Sequence, residues 1–274
     1  VHIEGQDELA KLSTTFNDMM AELKDLDVAK AVQTSLLPSS FPQPPGYSIH
    51  GQTMFAGDLG GDCLDCRTMP DGRVLLLIGD VSGHGASSAL LMAFIKATVT
   101  LWSQSGNVDL RRLADRIDGL LRAFPGPKRF LAFFGCLLDP VTHTLQWLSG
   151  GHPFPVLLRP GCKPEFVGTP VYPLGIRRSR QSPPAGMMAI NPGDTLFFYT
   201  DGLIEALDAA ASPFGYGRMT AVAVEARSAA VLNPFISRSV VDSVMKRHTE
   251  LCRDPEDDVT LMVLTRSPGN GWQR

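Results

Sequence analysis

Residues 75–93 read LLLIGDVSGHGASSALLMA, and the way this stretch breaks decides the fold. An apolar run ends in one carboxylate, Asp80, then comes a turn with two glycines and a histidine, and a second apolar run starts at Ala86. The first run is short and bounded by Gly79 and Asp80, as a buried strand is. The second keeps helical spacing from Ala86 to Trp102. A strand followed by a helix is ordinary. A lone acid between them is less so, because an unpaired carboxylate beside a hydrophobic strand is costly to bury unless a cation neutralises it.

Outward from this stretch, short apolar runs with period two recur from Tyr47 onward. YSIHGQTMF, GRVLLLIGD, RFLAFFGCLLD, HTLQWLSGG, PFPVLLR, DTLFFYTDG and VTLMVLT all read as strands bounded by Gly, Pro or Asp. GGDCLDCRTM also reads as strand, and Asp71-Gly72 as a hairpin turn. A second helix is expected over Val108 to Phe124, with Leu110, Leu113, Ile117, Leu120 and Leu121 on one face, and weaker helical signal from Met219 to Arg247, broken near Pro234. Strands come in clusters rather than alternating with helices. That favours an α+β fold over a doubly wound parallel sheet: two mainly antiparallel sheets face to face, with helices outside, in a four-layer αββα sandwich.

The opening differs. Leu9, Leu12, Phe16, Met19, Leu23 and Leu26 recur at alternating gaps of three and four, the seam of a two-stranded parallel coiled coil. The expected organisation is a signalling helix over 1–37, a Pro-rich linker over 38–46, one large domain over 47–266 and a tail over 267–274. The first residue is Val, so the chain reads as a fragment of something longer. The 274 residues carry a formal charge of −3 and no basic stripe, which argues against nucleic-acid binding. No apolar run looks long enough to span a bilayer and no signal peptide opens the chain. Five cysteines at irregular spacing suggest free thiols in a reducing compartment. Cys63 and Cys66 form a C-x-x-C, but on a strand their side chains point to opposite faces, so neither a redox pair nor a zinc knuckle is expected.

Acids stand at several strand ends. Asp80 follows LLLIG, Asp201 follows LFFYT, Asp257 and Asp258 precede VTLMVL, and Asp62 follows Gly60-Gly61. Each alone reads as a turn or cap. Gathered on one rim they would repel and raise each other's pKa unless divalent metal held them ionised. Oxygen-only ligation suits Mg²⁺ or Mn²⁺ rather than zinc.

GGDCLD, IGDVSGHGASSALLMA, LSGGHPFPVLL, PLGI, GDTLFFYTDGLIEA, FG and DDVTLMVL occur in that order. Together they resemble the bacterial branch of the metal-dependent type 2C (PPM) serine/threonine phosphatases, the SpoIIE/RsbU group, over roughly residues 27–266. DELAKLSTTFNDMMAEL also resembles the end of a HAMP signalling module. The resemblance implies that Asp80 bridges two Mn²⁺ or Mg²⁺ ions and that Val81 lends its carbonyl. Asp201 would bind the second ion, Asp257 would supply another ligand with Asp258 held in reserve, and Asp62 would lie in the same cluster. The implied reaction is attack of a metal-bridged water on phosphoserine or phosphothreonine, with Asp62, Asp80 and Asp201 as its core. The implied substrate is a small regulatory protein of the anti-sigma-factor-antagonist type. The implied setting is the cytoplasmic part of a membrane-anchored sensor, dimerised through the N-terminal helix, with no membrane contact in this fragment.

Rival readings are weaker. Gly79-Asp80-Val81-Ser82-Gly83 has the wrong spacing for a serine nucleophile elbow, and Ser82 and His84 lie too close in sequence for a working pair. His152, between Gly and Pro, reads as a rigid turn with a bonded imidazole. A catalytically silent module of the same fold would be expected to lack some of the acids, and a two-metal nuclease would need a basic or aromatic surface. Cys63 and Leu64 stand where the family often has aromatic residues.

Overall fold

The computed structural model describes residues 26–83, 85–105, 108–123, 129–176, 184–231, 233–252 and 256–268. Ten strands form two five-stranded sheets, matching the expected sandwich. In one sheet β1 (Tyr47–Met54), β10 (Val259–Arg266), β9 (Thr195–Tyr199), β6 (Val156–Leu158) and β7 (Glu165–Phe166) lie side by side in that order. The other runs β2 (Asp62–Thr68), β3 (Val74–Val81), β4 (Leu131–Asp139), β5 (Thr144–Gly150) and β8 (Ala185–Ala189). Every ladder between these strands is antiparallel.

Strict alternation along the strands builds three cores at once. In β3, Val74, Leu76 and Ile78 face the opposite sheet, meeting Ile49, Phe198, Met262 and Leu264. Leu75, Leu77 and Val81 point outward under helices α2 (Ala86–Gln104) and α3 (Leu110–Ala123). On the other sheet's outer face, Phe197, Tyr199, Leu261 and Val263 pack under α4 (Asp201–Glu205), α5 (Gly215–Ala229) and α6 (Ile236–Leu251). A central strand covered on both faces reads as one apolar run, which is why LLLI carries no alternation. Cys63 joins the outer core and Cys66 the inter-sheet core, so the two thiols do lie on opposite faces.

The N-terminal helix, here α1, is described over 26–36; the heptad segment before it and its HAMP-like opening lie outside the described residues. Its last turn is fastened to the body, with Leu36 against the outer core and Leu37 against the inter-sheet core. The Pro-rich stretch that follows is also tied down: the Gln43 amide donates to the Ile49 carbonyl at 2.6 Å and accepts the Ile49 N–H at 3.3 Å.

One sequence-based expectation needs correcting. α2 is long and apolar enough, by length and composition, to cross a membrane. Here it is a core helix, with Leu91, Met92, Ile95, Val99 and Trp102 buried against the sheet. It also carries Lys96, only 5% exposed, whose ammonium bonds the Leu64 carbonyl at 2.7 Å and Asp65 at 2.9 Å. Arg67 grips the same carboxylate and reaches Thr100 on α2 at 3.1 Å. The second acid of GGDCLD therefore fixes α2 onto β2. Replacing Lys96 by Met leaves Asp65 with one cationic partner and should destabilise the fold by about 2–4 kcal/mol; urea denaturation of both proteins in chelator checks this.

Candidate metal centre

The parity of β2 and β3 places Asp62 and Asp80 opposite each other in register, both on the inter-sheet side. They stand where the apolar filling ends and the gap between the sheets opens. From the opposite sheet, Thr200 at the end of β9 donates its hydroxyl to Asp62 at 2.9 Å. The same Thr200 hydroxyl accepts the Thr260 N–H at 2.9 Å, tying the end of β9 to the start of β10. Asp201 then opens α4, and Asp257 and Asp258 precede β10.

Close backbone approach brings the rim together. A side chain on Gly61 would meet the Val81 carbonyl at 2.6 Å and the Asp80 carboxylate at 2.9 Å. Only glycine allows the 60–62 turn to lie this near.

The electrostatics show how crowded the acids are. Burial, then the charges of Asp201, Asp257 and Asp258, push Asp80 up to about 7. Burial and Asp257 raise Asp201, and burial raises Asp258 against the pull of the backbone N–H groups that it accepts. Asp62, 2% exposed, is held well above the usual carboxylate range, by burial first and then by the neighbouring Asp80 and Asp258 charges. No Lys or Arg forms an ion pair with Asp62, Asp80, Asp201, Asp257 or Asp258 among the described residues.

The structure distinguishes the neighbours Asp257 and Asp258. Asp258 is buried, one oxygen accepting the Ala56 N–H at 3.0 Å and the other the Asp62 N–H at 3.3 Å. Asp257 is exposed and lines two clefts. One, of about 570 Å³, is bounded by Leu26, Gly61, Gly83 and Ala86. The other, of about 290 Å³, is bounded by Gly202, Glu205 and Asp208. Glu205, which the sequence reading did not single out, lines the second cleft with Asp257, and burial and the Asp201 and Asp257 charges raise its pKa. Its signal was its place four residues after Asp201, on one helical face.

A hard, oxygen-binding cation fits this donor set, since carboxylates and a backbone carbonyl are its preferred ligands. Among the described residues no three Asp, Glu, His or Cys side chains stand close enough to hold an ion as they are.

The serine-hydrolase reading has no support. The Ser82 hydroxyl oxygen accepts the Phe130 N–H at 3.0 Å, its own N–H bonds the Phe130 carbonyl at 2.9 Å, and its carbonyl takes the Arg129 guanidinium at 3.1 Å. Ser82 braces the turn; His84 lies outside the described residues. His152 is 4% exposed with Nδ1 2.9 Å from the Pro153 carbonyl, and burial lowers its pKa to about 4, so it is a neutral structural imidazole.

Residues 70–267 match the family model of stage II sporulation protein E, SpoIIE. The chain belongs to the SpoIIE family. Its fold resembles the RsbU and RsbW domains of Rv1364c from Mycobacterium tuberculosis, 26% identical with a TM-score of 0.71, over 84% of this chain and 64% of that one. It also resembles the SiaA PP2C domain of Pseudomonas aeruginosa, 17% identical with a TM-score of 0.74, over 90% of this chain and 98% of that one. The protein IcfG of Synechocystis is 23% identical over 266 residues, 78% of this chain and 40% of that protein, so the chain spans two fifths of this curated relative. The SpoIIE-type domain seen here is thus a PP2C phosphatase fold.

The raised carboxyl of Asp80 has a consequence for stability without metal. Such a group supports the fold while protonated and withdraws that support as pH rises from the unfolded value near 4 through the folded value near 7. In chelator, Asp80→Asn should therefore match the wild type at pH 4 and be more stable at pH 8 by about 4 kcal/mol. Thermal denaturation across that range, with EDTA present, measures the difference.

Proposed function

We propose that the domain is a Mn²⁺- or Mg²⁺-dependent phosphatase acting on phosphoserine or phosphothreonine of a small regulatory protein. The observation that carries this reading is the convergence of Asp62, Asp80, Asp201 and Asp257 on one rim without a Lys or Arg ion pair among the described residues, in a SpoIIE-family fold. Asp80, Asp201 and Asp257, with the Val81 carbonyl, would hold two ions, and Asp62 would reach them directly or through water. When bound, such ions lower the pKa of water and offset charge on phosphoryl oxygens.

The chain's own groups set the stage. Thr200 keeps Asp62 turned toward the rim through its hydroxyl bond. Asp258 spends its oxygens on the Ala56 and Asp62 N–H groups, so its part is to shape the loop that carries Asp62. Arg129 holds both the Ser82 carbonyl and, at 2.7 Å, the Ser87 hydroxyl, which fixes the turn after Val81. Two clefts, of about 290 and 570 Å³, share Asp257 in their walls.

A regulatory protein as substrate is supported by the related M. tuberculosis structure, whose RsbU domain is solved with an RsbW domain. The remaining parts of the reading are a homodimer through the N-terminal helix and a place in the cytoplasmic portion of a membrane-anchored sensor. The heptad seam supports the first, and exposed Val28 and Val32 on α1 extend its apolar character. A chain that sediments as a monomer at high concentration would contradict the dimer.

The activity is tested by phosphate release from a phosphothreonine peptide with and without Mn²⁺, beside cyclic and polymeric nucleotides. Release from the peptide alone, dependent on Mn²⁺ and reduced roughly a hundredfold or more in Asp80→Asn and Asp201→Asn, is expected. Preference for nucleotides would instead make it another two-metal phosphoesterase. Mn²⁺ binding without hydrolysis of either substrate would make it a silent signalling module.

A further inference from the structure

We propose that Gln33, on α1, is a positioning residue for the metal rim, holding the Gly60–Asp62 turn in the shape that the ions require. The inference rests on the reading of that rim as a metal centre. Gln33 is 3% exposed on a helix whose neighbouring positions 31, 32, 34 and 35 face solvent. Its amide donates to the Gly60 carbonyl at 2.6 Å and accepts the Gly60 N–H at 3.2 Å. One side chain thus pairs both backbone groups of a single residue, as a neighbouring strand would. An amide carries both a donor and an acceptor at its tip, which a carboxylate or an apolar group of the same length lacks.

The residue it grips has no freedom to shift alone. A side chain on Gly60 would collide with the Asp258 carboxylate and would meet the Phe55 ring at 2.5 Å. One residue on, the Gly61 carbonyl accepts the Val81 N–H at 3.2 Å, and the Gly61 backbone lies against the Val81 carbonyl and the Asp80 carboxylate. The next N–H, that of Asp62, is held by Asp258. A displacement of Gly60 is therefore handed to Asp62, Asp80, Val81 and Asp258 through direct contacts. Leu26, seven residues earlier on the same helix, lines the larger cleft together with Gly83 and Asp257. The helix before the sandwich is thereby part of the wall of the site, attached at the residues that lead into β2 and its acid Asp62.

Without Gln33, the buried N–H and carbonyl of Gly60 have no partner here, and an unmet buried pair favours rearrangement of the turn. The test uses the full 274-residue chain as wild type, Gln33→Leu and Gln33→Asn, the last one methylene too short to make both bonds. Calorimetric titration with Mn²⁺ should give binding about tenfold weaker in Gln33→Leu, with Gln33→Asn between it and the wild type. In metal-free protein, amide hydrogen exchange over residues 56–62 should be faster in both variants. At saturating Mn²⁺ the KM for p-nitrophenyl phosphate should stay at the wild-type value. A Gln33 that only stabilises the fold would lower the melting temperature of both variants and leave Mn²⁺ affinity and 56–62 exchange unchanged, which overturns the proposal. If Gln33→Leu does not fold, Gln33→Asn decides alone by the same readings. A wild type that binds no Mn²⁺ removes the metal-centre reading and this inference with it; a wild type that binds it, with variants indistinguishable from it, removes this inference only.

Discussion

Like charges crowded at the mouth of a sandwich are the constraint around which the molecule is arranged. Two sheets with alternating side chains fill the gap between them with Ile, Leu, Phe and Met, and where the filling stops the inward positions carry Asp62 and Asp80. The Asp201 and Asp257 charges add to the field there. Hydrophobic burial elsewhere has to carry this repulsion. The close turns, the Thr200 hydroxyl and the buried carboxylate of Asp258 are ways of holding acids near one another against it.

Much of the fold was legible because its central strands are short and covered on both faces. β3, β4, β9 and β10 each produce a dense apolar run with an acid close to one end. The break near Pro234 is real, with α5 ending at Ala229 and α6 starting at Ile236. β7 and β8 could not be read. β7 is two exposed residues, and β8 is AGMMA on a sheet edge, exposed or half-buried throughout, held by its ladder to β5 and by Met188 against the inter-sheet core. α2 was legible as a helix from Ala86, but its length and apolarity, underrated in the sequence, describe a helix buried against a sheet as well as one in a bilayer.

The site was legible in its acids and not in their supports. Asp62, Asp80 and Asp201 stood out together, because acids at several strand ends are harder to explain as turns or caps than any one of them alone. Asp65 did not, because its partner Lys96 lies on a helix 31 residues away and no spacing rule connects them. Gln33 gave no signal at all: a glutamine on an amphipathic helix is the commonest kind of surface residue until its amide is seen on Gly60. Ser82, conspicuous as text beside His84, is found bracing Phe130.

The account stands on oxygens from remote parts of one chain closing on a pair of hard cations. Crystals grown with Mn²⁺ and measured at the manganese absorption edge test that directly. Two anomalous peaks a few ångströms apart, touched by Asp80 and flanked by Asp201 and Asp257, are what it predicts. A map without density there in saturating Mn²⁺ would contradict it.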